Sequence, residues 1–380
     1  MRYLEPHLRQ DLQKKMVFLT GPRQSGKTTL AQTLLKSSPS GRYLNWDDPD
    51  HRKEILKRSW SDHEETLVLD EIHKLRNWKN WLKGTYDTQK NSHKFLVTGS
   101  ARLDVYRKGG DSLMGRYHLW HLHPFTLSEL PARIKPEDGL KRLLNVGGFP
   151  EPFLDHDDRA ARRWRQERLD KVIKEDVREL EEIKNIQGMQ LLVGLLRERV
   201  GSPIVISNLA EDLQVSPLTV KKWIEVLEAM YVLFQVRPYT AKIPRALQKP
   251  PKIYFYDNAD VEGDEGARFE NLVATHLLKA LQFAQDYSGH VFGLHYLRDK
   301  EKREVDFLIT KNRRPIQLIE AKWADTTPSR SLTYYAEKID IPEAIQVVGK
   351  KGARFVRGRL RVSDAFAELS NLNCYISDST

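Results

Sequence analysis

Short apolar runs alternate with amphipathic stretches in the first third of the chain, and the run Met16-Val17-Phe18-Leu19 sets the pattern. Consecutive apolar residues ahead of a glycine turn predict a strand covered on both faces. Leu30, Leu34 and Leu35 then recur at helical spacing. Residues 1–15 read as a short amphipathic lead-in, and the Ser/Pro/Gly cluster Ser37–Gly41 as a turn. Further strands are predicted at Arg42–Trp46, Thr66–Leu69, Lys94–Ser100 and Tyr117–Leu122, with a helical stretch around Trp78 and Trp81 and a helix ending at Leu113–Arg116. Strand–helix alternation of this kind predicts an α/β fold, a mainly parallel sheet with helices on both faces.

His123–Leu130 then leads into a helical region. Asp157–Glu182 reads as a charged helix in which Arg159, Arg162, Arg163, Arg165 and Arg168 crowd around Trp164. It either tracks a phosphate backbone or, as its apolar side of Trp164, Leu169, Val172 and Ile173 favours, is a solvated helix packed on that side. Gln190–Leu196 is an apolar helix, Ser207 caps a short second helix, and Ser216-Pro217 opens a third. With the strand Tyr231–Val236 behind them, these helices predict a winged helix-turn-helix. In a DNA reader the start of its third helix offers Thr219, Lys221 and Lys222 to the major groove; the same module also serves as a protein adaptor. A Pro-, Lys- and Arg-containing connector (Pro238–Pro251) leads to a strand at Lys252–Asp257, a helix over Ala267–Leu281, and a hairpin of Glu304–Ile309 with Ile316–Lys322.

Composition changes this picture little. At 380 residues two or three domains are expected. The net charge of +10 points toward a polyanionic partner and mildly favours nucleic acid over acidic small molecules. One cysteine, Cys374, excludes an intrachain disulfide and a cysteine-based zinc site. No apolar run reaches membrane-spanning length and the start of the chain lacks a signal peptide's apolar core, so a cytoplasmic protein is expected.

Candidate chemistry begins behind the first strand. Gly21–Thr29, GPRQSGKTT, matches the phosphate-binding loop G-x-x-x-x-G-K-[ST]. Gly21 and Gly26 let the backbone turn so that N–H groups from Gln24 and Ser25 onward face an anion, at the positive end of the helix that Thr28 and Thr29 open. Lys27 supplies charge for the terminal phosphates of ATP, and the Thr28 hydroxyl a ligand for Mg²⁺. The strand Thr66–Leu69 ends in Asp70-Glu71, the expected partner: Asp70 to hold Mg²⁺ through water, Glu71 to polarise the attacking water. Thr98 or Ser100 is a candidate sensor of the γ-phosphate, or else a strand-end turn. Arg116 is a candidate arginine finger acting on a neighbouring copy, or else a surface ion pair.

GPRQSGKTTL, YLNWDDPD, LVLDEIHKL, LVTGSARL, SLMGR and GGFPE (Gly147–Glu151) occur in this order, and in this the chain resembles a large bacterial and archaeal family. That family couples an AAA-type ATPase domain to a C-terminal domain of unassigned function with a restriction-endonuclease-like fold. The departure is His73-Lys74, where relatives often continue in a longer acidic helix; His73 takes no assigned role.

A second chemical signal agrees with the resemblance. Asp306 with Glu320-x-Lys322 fits D…(D/E)-x-K, and strand alternation places Glu320 and Lys322 on one face. Asp306 and Glu320, joined by Glu270 from the preceding helix as in resolvase-like nucleases, are the expected ligands of Mg²⁺ or Mn²⁺, with Lys322 orienting water or offsetting phosphate charge. The alternative is a hairpin with charged residues on its open face, or a nuclease fold that no longer cuts.

The expectation is therefore three modules: an AAA-type ATPase over 1–135, a helical and winged-helix region over 136–250, and a restriction-endonuclease-like domain over 251–380. The expected function is ATP-dependent DNA processing, with branched DNA as the substrate class. An arginine finger in trans implies a homo-oligomer such as a hexameric ring. The alternatives are a nucleotide-dependent switch acting on a protein partner, with an inactive nuclease fold, and an ATP-gated defence nuclease.

Overall fold

The computed structural model describes residues 2–36, 38, 40–99, 113–176, 185–240 and 249–376. The chain divides into two compact units, residues 1–123 with 229–231, and residues 124–228 with 232–380. The second unit thus runs through both of the modules expected after residue 136. Among the described residues no helix is long and apolar enough to cross a membrane.

The first unit contains α1 (Glu5–Asp11), β1 (Met16–Thr20), α2 (Lys27–Lys36), β2 (Gly41–Asn45), α3 (Pro49–Lys57), β3 (Thr66–Asp70), α4 (Trp78–Gln89), β4 (Lys94–Thr98) and β5 (Tyr117–His121). Its sheet runs β2-β3-β4-β1-β5, and every pairing is parallel. The apolar runs are central strands for a simple reason: β1 and β3 are buried along their whole length. Phe18, Leu67, Leu69, Trp78, Phe95 and Val97 form the core of one face. Because β4 lies between β1 and β3, the carboxyl ends of the three strands bring Thr20, Thr98 and Asp70 into one row. Part of the acidic turn after β2 is structural. Asp48 caps α3, accepting from the N–H groups of Asp50 and His51, and Pro49 occupies the first turn.

The second unit opens with α5 (Pro136–Asn145), α6 (Pro150–Asp155) and α7 (Asp158–Lys171). The GGFPE motif packs here. Gly147 has φ of 83°, and a Cβ on it would lie 1.8 Å from Oδ1 of buried Asp257. Phe149 sits beneath the guanidinium of Arg168 at 4.3 Å. Arg168 is buried and paired with Asp260 at 3.4 Å, so of the arginines of α7 it is a core residue. Arg159, Arg162 and Arg163 are exposed, while Trp164 is buried, so α7 is a solvated helix packed on its Trp164 side.

Next come α8 (Ile186–Arg197), α9 (Ile206–Asp212) and α10 (Pro217–Ala229), then β6 (Leu233–Pro238) and β7 (Lys252–Phe255), which pair antiparallel. A single bridge joins Pro203, between α8 and α9, to Lys252 of β7. Ser216 caps α10 as expected, accepting from the Thr219 N–H at 3.1 Å. Ser207, expected to cap α9, lies inside its first turn; Val205 holds the cap position and provides no side-chain bond. The apolar run Val205-Ile206 carries the chain into the helix two residues earlier than the serine suggested.

The unit closes with α11 (Glu265–Ser288), β8 (Phe292–Arg298), β9 (Glu304–Lys311), β10 (Arg314–Lys322), α12 (Arg330–Lys338), β11 (Glu343–Val348), β12 (Arg354–Arg357), β13 (Leu360–Asp364) and α13 (Ala365–Leu369). Asn312 and Arg313, at φ of 50° and 70°, make the tight turn between β9 and β10. The sheet order is β12-β13-β11-β10-β9-β8-β6-β7, so the strands that follow α10 extend the same sheet as the Asp306 hairpin. Strands β8, β9 and β10 are antiparallel neighbours, and β11 joins β10 in parallel after α12.

Candidate functional site

Two clusters of chemistry-bearing residues stand out, one in each unit. In the first, Gly21 and Gly26 adopt φ of 136° and 93°. A Cβ on Gly21 would lie 2.3 Å from the Leu122 carbonyl, so both conformation and contact require glycine there. The Lys27 ammonium donates to the carbonyls of Gly21 and Pro22, at 3.0 and 2.7 Å, and so lies folded over its own loop. Gln24, Thr28 and Thr29 are exposed, while Ser25 is buried and its carbonyl accepts from Arg2 at 2.8 Å.

Asp70 gathers three hydroxyls. Thr28 Oγ1 donates to its Oδ2 at 3.0 Å, Tyr43 Oη donates to the same oxygen at 2.6 Å, and Thr98 Oγ1 donates to Oδ1 at 2.5 Å. The carboxylate is 5 % exposed, so these donors fix its direction as well as satisfying it. Residues 28 and 70, matched to separate halves of a phosphate-transfer pair by sequence, are therefore in direct contact. Glu71 takes φ of 58°, and its N–H donates to the Thr98 carbonyl. Burial first, and then the neighbouring Asp70, raise its pKa above the ordinary range; Lys74 and Lys27 oppose the shift. His73 is buried with Nε2 3.5 Å from Glu71, and Lys74 links Glu71 to Asp47.

Of the two sensor candidates, Thr98 is the one bonded to Asp70, and Ser100 lies outside the described residues. Arg116 forms a two-bond ion pair with Asp87 of α4, at 2.8 and 2.9 Å. Its carbonyl accepts from Met16 at the start of β1, so it lies at the end of the sheet opposite the phosphate loop of its own chain. Tyr43 was missed by motif reasoning. Its signal is the YLNWDD stretch, where alternation on β2 leaves Tyr43 two positions before the strand end.

In the second unit, β9 and β10 run antiparallel with Phe307 opposite Ile319, which makes Asp306 and Glu320 the next facing positions. Asp306 Oδ2 accepts from the Ala321 N–H at 2.9 Å. Glu320 Oε1 pairs with Lys322 at 2.8 Å, while its Oε2 is buried with no hydrogen-bond partner. Glu270, one turn into α11, accepts from Tyr254 Oη at 2.7 Å. Burial, and then Asp306, push Glu270 up to about 7 and Glu320 up to about 7; Lys252 limits the first shift and Lys322 the second.

In this unit the residue that sequence reasoning did not find is Lys252. Its side chain is 1 % exposed, and its ammonium lies 2.7 Å from Glu304, 3.2 Å from Glu270 and 3.5 Å from Asp306. Burial opposes its charge, yet these carboxylates hold its pKa well above the ordinary lysine value. Lys252 stands between Glu270 and the hairpin. Among the described residues, no three His, Cys, Asp or Glu side chains converge closely enough to hold a metal ion. On α10, Lys221 and Lys222 are exposed and Thr219 is half-buried, held by Ser216.

Residues 13–131 match the family model of an AAA domain. Residues 137–259 match a domain of unknown function (DUF8612), and residues 265–364 another (DUF4143). An uncharacterized protein of Mycobacterium tuberculosis is 24% identical over 342 residues, which are 86% of this chain and 74% of that one. One of Haemophilus influenzae is 22% identical over 333 residues, 77% of this chain and 79% of its own. Among solved structures, a Walker-type ATPase of Pyrococcus abyssi is similar over 67% of this chain and 93% of its own, with 15% identity and a TM-score of 0.43. The N-terminal unit of the chain thus carries an AAA-type domain with a phosphate loop and an acidic partner strand.

Proposed function

We propose that the protein is an ATP-hydrolysing DNA-processing enzyme, in which nucleotide turnover in the first unit drives a DNA-gripping, nuclease-like second unit. The observation that carries this reading is the coexistence of two phosphate-directed sites in one chain: Thr28 bonded to Asp70, and Asp306 facing Glu320 and Lys322.

In the first site, backbone N–H groups from Gln24 to Thr29 receive the phosphates, and Lys27 swings from the Gly21 and Pro22 carbonyls onto them. The donor set fits Mg²⁺: Thr28 and Asp70 would hold it, and it would neutralise charge on the transferring phosphoryl group. Glu71, with its raised pKa, takes a proton from water more readily than an ordinary exposed carboxylate. Thr98 couples Asp70 to the strand between the two motifs. Arg116 of an adjacent copy is the finger candidate in a homo-oligomer, with a hexameric ring as its form.

The second unit supports a DNA reading in two ways. The succession α8, α9, α10 and the β6–β7 pair, with the Pro203 bridge, supports a winged helix-turn-helix whose exposed Lys221 and Lys222, beside Thr219, face phosphates or bases. The order α11, β8, β9, β10, α12, β11 supports a restriction-endonuclease-like core. Glu320 Oε2, buried without a partner, fits a divalent cation, Mg²⁺ or Mn²⁺, held by Asp306 and Glu320; such an ion would polarise a scissile phosphate, while Glu270, the third ligand expected from the sequence, is bonded to Lys252 and Tyr254. Lys322, half-exposed and paired with Glu320, would meet that phosphate. Branched DNA is the substrate class to test first, and the cytoplasm the expected compartment.

One observation favours a second reading, a nucleotide-dependent switch with an inactive nuclease fold: the Lys252 ammonium already neutralises carboxylates of the cluster. The test incubates labelled duplex, single-stranded and four-way-junction DNA with protein, ATP and Mg²⁺ or Mn²⁺, alongside Lys27→Ala and Asp306→Ala. Strand scission lost in Asp306→Ala establishes a nuclease. Strand separation or ATP hydrolysis stimulated by DNA and lost in Lys27→Ala establishes a motor. Intact DNA with unstimulated hydrolysis leaves the switch.

A further inference from the structure

The C-terminal carboxylate cluster is larger than the nuclease pattern requires, and its charges are unevenly matched. Glu270, Glu304, Asp306 and Glu320 face two lysines, Lys252 and Lys322, and Arg298, which pairs with Glu304 at 3.0 Å. Around Lys252 three carboxylates converge on one ammonium. Glu304, Glu270 and Asp306 surround the ammonium at 2.7, 3.2 and 3.5 Å, and the Tyr296 ring lies 5.6 Å from it. Glu270 Oε1 accepts from both Lys252, at 3.2 Å, and Tyr254 Oη, at 2.7 Å, and the backbone at Gly201 lies against the carboxylate. A Cβ on Gly201 would approach both Glu270 oxygens to 2.8 Å, and its φ of 74° is itself a glycine conformation. Around Glu320 the matching is incomplete: Lys322 takes Oε1, and Oε2 is buried with no partner.

We infer that Lys252 is a resident cation of this site, occupying the place of a second metal, so that the centre takes one divalent ion, at Asp306 and Glu320, and withholds Glu270 from it. The inference rests on the divalent-ion reading of the C-terminal site given above. A buried ammonium among three carboxylates holds them by direct charged hydrogen bonds where a divalent ion would coordinate them; it offsets one of their charges and cannot leave. Lys252 is therefore a positioning residue. It holds Glu270 and Glu304 in place and leaves Asp306 one oxygen for the Ala321 N–H and one shared with the ammonium.

The test counts Mn²⁺ bound to the nucleotide-free full chain, by electron paramagnetic resonance of free Mn²⁺ and by calorimetry, in wild type, Asp306→Ala, Glu270→Gln and Lys252→Met. Sites that survive Asp306→Ala are counted as background. The expected result is one Asp306-dependent ion in wild type, the same ion with less than a threefold change in affinity in Glu270→Gln, and two in Lys252→Met. If Lys252→Met does not fold without metal, wild type and Glu270→Gln still decide. Two Asp306-dependent ions in wild type, or loss of the ion in Glu270→Gln, overturn the role of Lys252 and leave the metal-dependent reading standing. No Asp306-dependent ion in wild type overturns both.

Discussion

Each unit uses a lysine against oxygen atoms, but to opposite ends. Lys27 rests on the carbonyls of Gly21 and Pro22, six and five residues before it, in a loop whose shape glycines set. Those two bonds are to neutral carbonyls and weak enough to exchange for phosphates. Lys252 is enclosed by carboxylates 18, 52 and 54 residues away in sequence, on α11 and β9. Those contacts are ionic, buried and part of how the sheet closes on the helix. One lysine waits for a ligand; the other already has one.

The sharpest way to break that contrast is to remove each lysine. Lys252→Met leaves buried carboxylates without a counter-charge, and we expect a loss of about 3–5 kcal/mol in unfolding free energy by urea titration. Added Mn²⁺ should restore part of it. A loss below about 1 kcal/mol would place Lys252 outside the structural core of the site. Lys27→Ala should do the reverse. ATP hydrolysis falls by about 100-fold or more, as when an electrostatic catalytic donor is lost, while the urea midpoint stays within error of wild type.

The same helix that carries Glu270 supplies a pH test of the second unit. His276 is buried, with Nδ1 against the Leu272 carbonyl and Nε2 accepting from the Leu127 N–H, and burial lowers its pKa from 6.5 to about 3. The folded protein therefore keeps it neutral while the unfolded chain binds a proton below pH 6.5. Its contribution is present above that pH and is lost on acidification at about 1.4 kcal/mol per pH unit until the folded value is reached. Between pH 7 and pH 5, the stability gap between wild type and His276→Gln should narrow by about 2 kcal/mol in urea titrations. A constant gap would show that folding does not shift the His276 pKa.

The smallest expected effect tests whether the first site is as local as it looks. Tyr43→Phe removes one of three hydroxyls on Asp70 and should lower ATP turnover about fivefold, equivalent to about 1 kcal/mol, with little change in stability. An effect as large as that of Lys27→Ala would mean that β2 directs the Asp70 carboxylate as strongly as the phosphate loop does.

Legibility in the sequence follows the same division. The phosphate loop, Asp70-Glu71 and the capped helix at Ser216-Pro217 were readable because each depends on a few adjacent residues: glycine φ angles, a strand end, a side-chain cap. The hairpin bearing Asp306 and Glu320 was readable too, since alternation over a short turn fixes which side chains share a face. The Ser207 cap was misplaced by the apolar pair before it, and the arginines of α7 could not be sorted until Arg168 was seen to be buried on Phe149 and Asp260.

What the sequence determined by itself is thus the inventory of local chemistry, because backbone conformation and strand periodicity are set within a few residues. Only the tertiary structure decided which distant groups meet: Tyr43 with Asp70, Gly147 with Asp257, and Lys252 with Glu270, Glu304 and Asp306. Those contacts arise from the order of strands in a sheet and from a helix laid across it. A buried charge declares its partner only when that packing has removed the water between them.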